Sequence, residues 1–297
     1  MLSKKCIFKG SGVALITPMD RNNNINYETL EKLIEFQINN STDAIISCGT
    51  TGESSVLSSE ERQKIIEFTI KKVNHRVPVI VGTGSNNTQT ALEFSKQAEK
   101  LGADGLLIVT PYYNKCSQES LISHYNYIAD RVSTPIILYN VPSRTGVNIH
   151  PETYLKLSEH SNICATKEAS GNLSNILKTK YLCGDNLDIY SGNDDQIVPV
   201  LSLGGIGVIS VLANVCPKET HDIIYNYLNN NISISRDLQI KHTELIELLF
   251  SDVNPVPVKK ALNLMGFDCG SCRLPLGELN SANTQKLQDS LQKLNLV

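Results

Sequence analysis

Lys167 stands in the stretch 163–171, ICATKEASG, which begins with small and apolar residues as a buried parallel strand would. A strongly hydrated side chain then takes the place of the next apolar one. At its reference pKa of about 10.4, a lysine is neutral only roughly 0.04% of the time at pH 7. Burial disfavours the ammonium, so a lysine at a strand end can become an amine nucleophile. Such an amine attacks a keto carbon and forms an iminium, an electron sink that lets an adjacent methyl lose a proton and become a carbon nucleophile.

The ends of the other apolar runs supply a compatible set: Thr17-Pro18, GTTGE at 49–53, TPYY at 110–113, YNVP at 139–142, Gly192-Asn193-Asp194 and Ser210. No His or Cys cluster has metal-ligand spacing, and there is no dinucleotide fingerprint. None of the six histidines falls at a strand end, so a Ser/His/Asp hydrolase is unsupported. One lysine with hydroxyls and phenols suits carbonyl chemistry through a Schiff base, without a separate cofactor. Plainer readings stand beside this one. Lys167 could snorkel outward or pair with Glu168, and Tyr112 and Tyr113 could be packing aromatics. Thr50 and Thr51 could cap a loop, and Arg144 could make a surface salt bridge.

The elements that must position these residues are legible as periodicity. Apolar runs of strand length lie at 12–17, 43–49, 77–84, 104–111, 135–142, 163–169, 187–192 and 207–214. They are continuous rather than alternating, which marks strands buried on both faces. Pro78 and Pro135 stand at strand starts, where a missing donor is tolerated. Between the runs lie amphipathic helices. The one at 60–73 opens on a capping box of Ser58 with Glu61, and the one at 88–101 stops at Gly102. Eight strands, each followed by a helix, predict a (β/α)8 TIM barrel spanning 1–230. After the polar NNNISIS break, 231–297 reads as a C-terminal helical extension. GTGSNN at 82–87 hints at a phosphate loop, and a lone CGSC at 269–272 at a redox pair or half a zinc site. Neither has a second element to support it.

The chain has 297 residues, 41% hydrophobic and 19% charged, with a formal net charge of -3. That balance advertises neither a nucleic-acid nor a membrane partner. Eight scattered cysteines do not form a secreted disulfide framework, and no apolar stretch approaches a membrane span. A cytoplasmic protein is expected.

GTTGE at 49–53, YNVPSRTG at 139–146 and KEASGN at 167–172 resemble the signatures of the pyruvate-dependent class I aldolase and lyase family. TPYYNK, SGNDDQ, GGIGVISVLANV and NPVPVKKAL sit where that family has related segments, so the likeness runs nearly end to end. It implies a barrel with a helical extension. It also implies condensation of pyruvate with L-aspartate 4-semialdehyde, the first committed step toward diaminopimelate and lysine. By position, Lys167 would form the Schiff base and Tyr139 would shuttle protons. Thr50 would link Tyr139 to Tyr113, the latter supplied by a neighbouring subunit. Thr51 would hold the pyruvate carboxylate, Gly192 and Ile209 would contribute backbone groups, and Arg144 would grip the semialdehyde carboxylate. Arg144 and the Thr-Thr pair favour the synthase branch over the sialic-acid lyases; some sugar-acid aldolases keep the Thr-Thr pair, so Arg144 carries more of the weight, and a silent keto-acid-binding barrel is the further alternative. A homotetramer, as a dimer of dimers, is the assembly this likeness implies. Ser54, Ser55, Ser59, Arg62, Asn86, Thr90 and Tyr112 would line the regulatory site of lysine-inhibited relatives. Ser59, Arg62 and Thr90 depart from the inhibited pattern, which predicts weak or absent feedback.

Overall fold

The computed structural model describes Lys4 and residues 6–297. Eight parallel strands close into a barrel in chain order: β1 (Gly10–Ala14), β2 (Ala44–Ser47), β3 (Val79–Gly82), β4 (Gly105–Val109), β5 (Ile136–Asn140), β6 (Ile163–Glu168), β7 (Asp188–Ser191) and β8 (Gly207–Ser210). Each lies within or beside one of the eight apolar runs. The expected run at 12–17 is displaced, because β1 begins at Gly10. Gly10 and Gly207 meet there to close the barrel, and a Cβ on Gly207 would lie 2.1 Å from the Gly10 carbonyl. Glycine carries no apolar signal, so this junction was invisible to periodicity. Elsewhere the runs overshoot the strands at their C-terminal ends, and the surplus residues form the mouth of the barrel.

Alternation along the strands divides the core in two. Ala14, Ile46, Ile80, Leu107, Ile137, Tyr139, Ala165, Tyr190 and Ile209 fill the interior as one cluster. A larger cluster lies between the barrel and its helices. The bottom is plugged by Phe8, stacked on Tyr190 at 4.3 Å between ring centroids, and Tyr190 donates to the Phe8 carbonyl.

The helices of the outer ring are α1 (Tyr27–Asn39), α2 (Ser59–Val73), α3 (Thr88–Leu101), α4 (Gln118–Ala129), the single turn α5 (Pro142–Thr145), α6 (Pro151–Leu157), α7 (Leu173–Cys183), α8 (Ile197–Ser202) and α9 (Pro217–Leu228). The expected capping box of α2 forms in full. Glu61 N donates to Ser58 Oγ, and Ser58 N donates to Glu61 Oε2. Four helices follow: α10 (Ile232–Lys241), α11 (Thr243–Leu249), α12 (Val256–Leu264) and α13 (Ser281–Lys293). Of these, α10 packs on α9, while α12 packs on α13 and on the short turn Leu212–Asn214 that follows β8. No helix among the described residues is long and apolar enough to cross a membrane.

Candidate active site

Lys167 is the fifth residue of β6 and pairs in register with Tyr139 of β5. Ala165, two residues earlier, belongs to the interior cluster, so alternation turns Lys167 inward as well. Its Nζ lies 4.4 Å from the centroid of the Tyr139 ring, and the two residues are only 6% and 7% exposed. Glu168, the next residue, faces the other way. Its carboxylate accepts from Asn140 Nδ2, from the Tyr154 hydroxyl at 2.8 Å and from Ser170 N at 2.9 Å. The pairing of Lys167 with Glu168 is therefore ruled out by strand geometry, and Lys167 does not snorkel out. Among the described residues no carboxylate lies within ion-pair distance of Lys167 Nζ.

The loop after β8 is held near this amine by Asp194. That carboxylate accepts from Ser210 Oγ, from Val211 N at 3.0 Å and from Leu212 N at 2.8 Å. Burial raises its pKa above the ordinary carboxylate value, while these donors and the charge of Lys167 pull the other way.

Thr50 sits just beyond β2 at a junction of two hollows. With Tyr139, Cys48 and Gly82 it lines a small cavity in the barrel mouth. With Ser54, Arg62, Tyr112 and Arg144 it lines an adjoining cleft of about 360 Å³. Thr51 is buried, and its Oγ1 accepts from Asn254 Nδ2 at 3.0 Å. Arg144, on α5, is exposed and lines the cleft, with Nη2 donating to the Asn254 carbonyl at 3.3 Å. Ile209 is wholly buried in the interior beside Tyr139. Gly192 closes the seventh strand end: its N–H donates to the Glu168 carbonyl, and a Cβ there would lie 2.6 Å from that of Ala169. Tyr113 is the outlier. It is 90% exposed and lines neither hollow, and no hydrogen bond joins Thr50, Tyr139 and Tyr113 among the described residues.

Of the residues expected around the regulatory site, Ser54, Ser55, Arg62 and Tyr112 line the cleft, whereas Ser59, Asn86 and Thr90 do not. Arg62 is buried, stacks on Phe94 at 4.4 Å and donates to the Gly82 carbonyl. The cleft lining holds two arginines and no acid.

The glycines of GTGSNN sit where the backbone packs closely. A Cβ on Gly82 would meet the Cys48 carbonyl at 2.3 Å, and one on Gly84 would meet Val109 N at 2.5 Å. Cys269 and Cys272 are free thiols, each pushed up to about 12 by burial. No group of metal-ligating side chains forms among the described residues.

Three residues of this neighbourhood carried no role in the sequence reading. Asn254 bridges Thr51 and Arg144, while Glu53 and Lys259 form an ion pair behind them at 2.8 Å. The available signal was Lys259 lying three residues from both Val256 and Leu262, on the apolar stripe of α12.

The eightfold barrel carries at its mouth a buried lysine that faces a phenol and, among the described residues, meets no carboxylate. Residues 7–294 match the Dihydrodipicolinate synthetase family, and the chain belongs to that family. It is 54% identical over 291 residues to 4-hydroxy-tetrahydrodipicolinate synthase of Clostridium perfringens, covering 98% of this chain and 100% of that one. The crystal structure of dihydrodipicolinate synthase from Thermotoga maritima superposes with a TM-score of 0.96 at 42% identity, over 98% and 100% of the two chains. The pyruvate complex of the Acinetobacter baumannii dihydrodipicolinate synthase superposes with a TM-score of 0.96 at 39% identity, over 98% and 100%.

Proposed function

We propose that this chain condenses pyruvate with L-aspartate 4-semialdehyde to give 4-hydroxy-tetrahydrodipicolinate, in the route to diaminopimelate and lysine. The observation that carries the proposal is the buried Lys167 amine, turned into the barrel mouth over Tyr139 with no carboxylate to pair it among the described residues. Lys167 Nζ adds to the pyruvate keto carbon and water leaves, forming an iminium. The methyl proton then departs to a base, and the resulting enamine carbon attacks the aldehyde. The amino group of the semialdehyde portion displaces Lys167 from the iminium carbon, which closes the ring and frees the enzyme. The balance is one water released for one carbon–carbon and one carbon–nitrogen bond formed. No separate cofactor enters.

Tyr139 is assigned the proton transfers. A phenol with an ordinary pKa near 10 is a poor base at neutral pH, so it needs a relay of hydroxyls. Thr50, beside it in the same cavity, is assigned as the first link, and Tyr113 of a second copy as the next. The exposure of Tyr113 supports this, because a ring at 90% exposure is free to enter a neighbour's site. A homotetramer, as a dimer of dimers, follows as the expected assembly. Thr51 is assigned to the pyruvate carboxylate and Arg144 to the carboxylate of the semialdehyde. Gly192 and Ile209 contribute backbone groups. In this reading 1–230 carries the barrel and 231–297 the helical extension. A cleft lined by two arginines and no acid offers no carboxylate to grip an ammonium, which supports weak or absent feedback by L-lysine. Half-inhibition by sub-millimolar L-lysine would overturn that part.

The test is initial rate with both substrates, read through a coupled reductase that consumes the cyclised product. Borohydride reduction in the presence of pyruvate, followed by peptide mapping, locates the imine. Turnover with added mass on Lys167 is expected. Trapping without turnover would redirect the search to sugar-acid aldehydes, and no added mass would mean a binder.

A further inference from the structure

The turn that carries Thr50 and Thr51 is held in an unfavourable backbone conformation by a contact from the far end of the chain. Glu53, which closes the turn, has φ +55, a left-handed geometry that a residue with a Cβ rarely adopts. Within the turn Glu53 N donates to the Thr50 carbonyl at 3.0 Å, and Thr17 Oγ1 donates to the Gly52 carbonyl at 2.8 Å. Such conformations persist only where the surroundings over-determine them. Here the surroundings include α12 and the segment that follows it.

The Glu53 side chain is wholly buried, and that of its partner Lys259 is 2% exposed. Every charged atom is nonetheless met. Glu53 Oε1 accepts from Lys259 Nζ at 2.8 Å and Oε2 from Arg273 N at 2.9 Å, while Lys259 Nζ also donates to the Ser271 carbonyl at 2.9 Å. Five residues before Lys259, Asn254 donates to Thr51 Oγ1 and its carbonyl accepts from Arg144. One segment, 254–259, therefore grips both ends of the Thr51–Glu53 turn and the arginine opposite.

A buried ion pair contributes little net stability over an apolar pair of the same volume, because desolvation offsets the attraction. What it does impose is register, since each charge tolerates only one seat. We infer that Lys259, acting through Glu53, is a positioning residue for the Thr50–Thr51 turn, so that the helical extension sets the geometry of the pyruvate pocket. This rests on the assignment of Thr50 and Thr51 proposed above.

The single variants leave one charge buried without its partner and can fail to fold, so the informative protein is the double variant E53L/K259M, in which both charges become apolar. Its melting temperature is measured first, and kinetics are run well below it, beside the wild type. The KM for pyruvate is expected to rise and kcat to fall, each by about tenfold or more, as small misplacements of catalytic groups do. The KM for the semialdehyde should move less, since Arg144 is held by the Asn254 backbone. Borohydride should still trap pyruvate on Lys167. A folded double variant with wild-type KM and kcat overturns the positioning role alone. A wild type that traps no pyruvate overturns the assignment of the site and this inference with it.

Discussion

Two buried lysines divide this molecule. Lys259, on α12, is closed off from solvent and bound to Glu53, with the Ser271 carbonyl accepting a further hydrogen bond from it. Lys167, at the end of β6, is nearly as buried, yet it faces an aromatic ring and a hollow instead of a carboxylate. The same side chain thus serves opposite ends. Paired, its charge is neutralised and the lysine fixes two distant segments. Without a carboxylate partner, the side chain is left facing the hollow at the barrel mouth, where the proposed substrate would sit. Burial alone does not tell these two lysines apart; the partner does.

The largest expected effect breaks the comparison at Lys167. In K167R the volume and charge are roughly kept, but a guanidinium stays protonated and is not a nucleophile. Turnover should fall by about 10⁴-fold or more, as when a nucleophile is lost elsewhere, and borohydride should trap no pyruvate. Residual trapping at the arginine variant would show that a second amine can serve, and the contrast between the lysines would fail.

Stability should separate the two positions in the opposite sense. K259M leaves the Glu53 carboxylate buried without its main partner and should cost about 3–5 kcal/mol in denaturant unfolding. K167M removes an unpaired buried charge and should leave stability unchanged or raise it, the usual exchange between activity and stability. Equal losses at both sites would mean that Lys167 has an anchoring role the strand geometry does not reveal.

A smaller change sharpens the catalytic side. Y139F keeps the ring against Lys167 and removes only the hydroxyl. The loss in kcat should be about 10²–10³-fold, the range of general acid–base contributions, with the imine still forming on Lys167. A loss confined to KM would assign Tyr139 to packing.

The same contrast explains what the amino-acid sequence disclosed. Lys167 was legible because a local pattern, an apolar run of strand length, was violated at one position. The barrel was legible because eight such runs recur, and the Ser58–Glu61 box because its partners are three residues apart. Lys259 was not legible as an anchor. Its carboxylate lies 206 residues away, and Asn254 and Thr51 are 203 apart, so no local period encodes either contact. The β1 start was missed for a different reason: closure there is made by glycine backbones, which periodicity does not see. Only the folded barrel sets Glu53, Arg144 and Asn254 around the same turn.

The weakest expected effect lies at the outer end of the same anchor. Arg273, whose N–H holds Glu53 Oε2, extends its guanidinium to the Glu61 carboxylate at the start of α2, with Nη1 at 2.9 Å from Oε2. The hydrogen bond from Arg273, with help from the Ser58 N–H and the guanidinium charge, lowers the Glu61 pKa from 4.5 to about 2. A carboxylate depressed in the folded state stabilises above its unfolded pKa, and that contribution is lost as pH falls through the folded one. The stabilisation from Glu61 is therefore complete above about pH 5 and should fade between roughly pH 4.5 and 2. In E61Q that contribution is absent throughout. Its melting temperature should sit below the wild type at neutral pH, and the gap should close as the pH approaches 2. Both partners lie partly at the surface, so the gap should be small and should shrink further in high salt. A gap that stays constant across the acid range would assign the loss to the α2 cap and not to the charge pair, leaving the inner Lys259–Glu53 contact as the part of the anchor that fixes the turn.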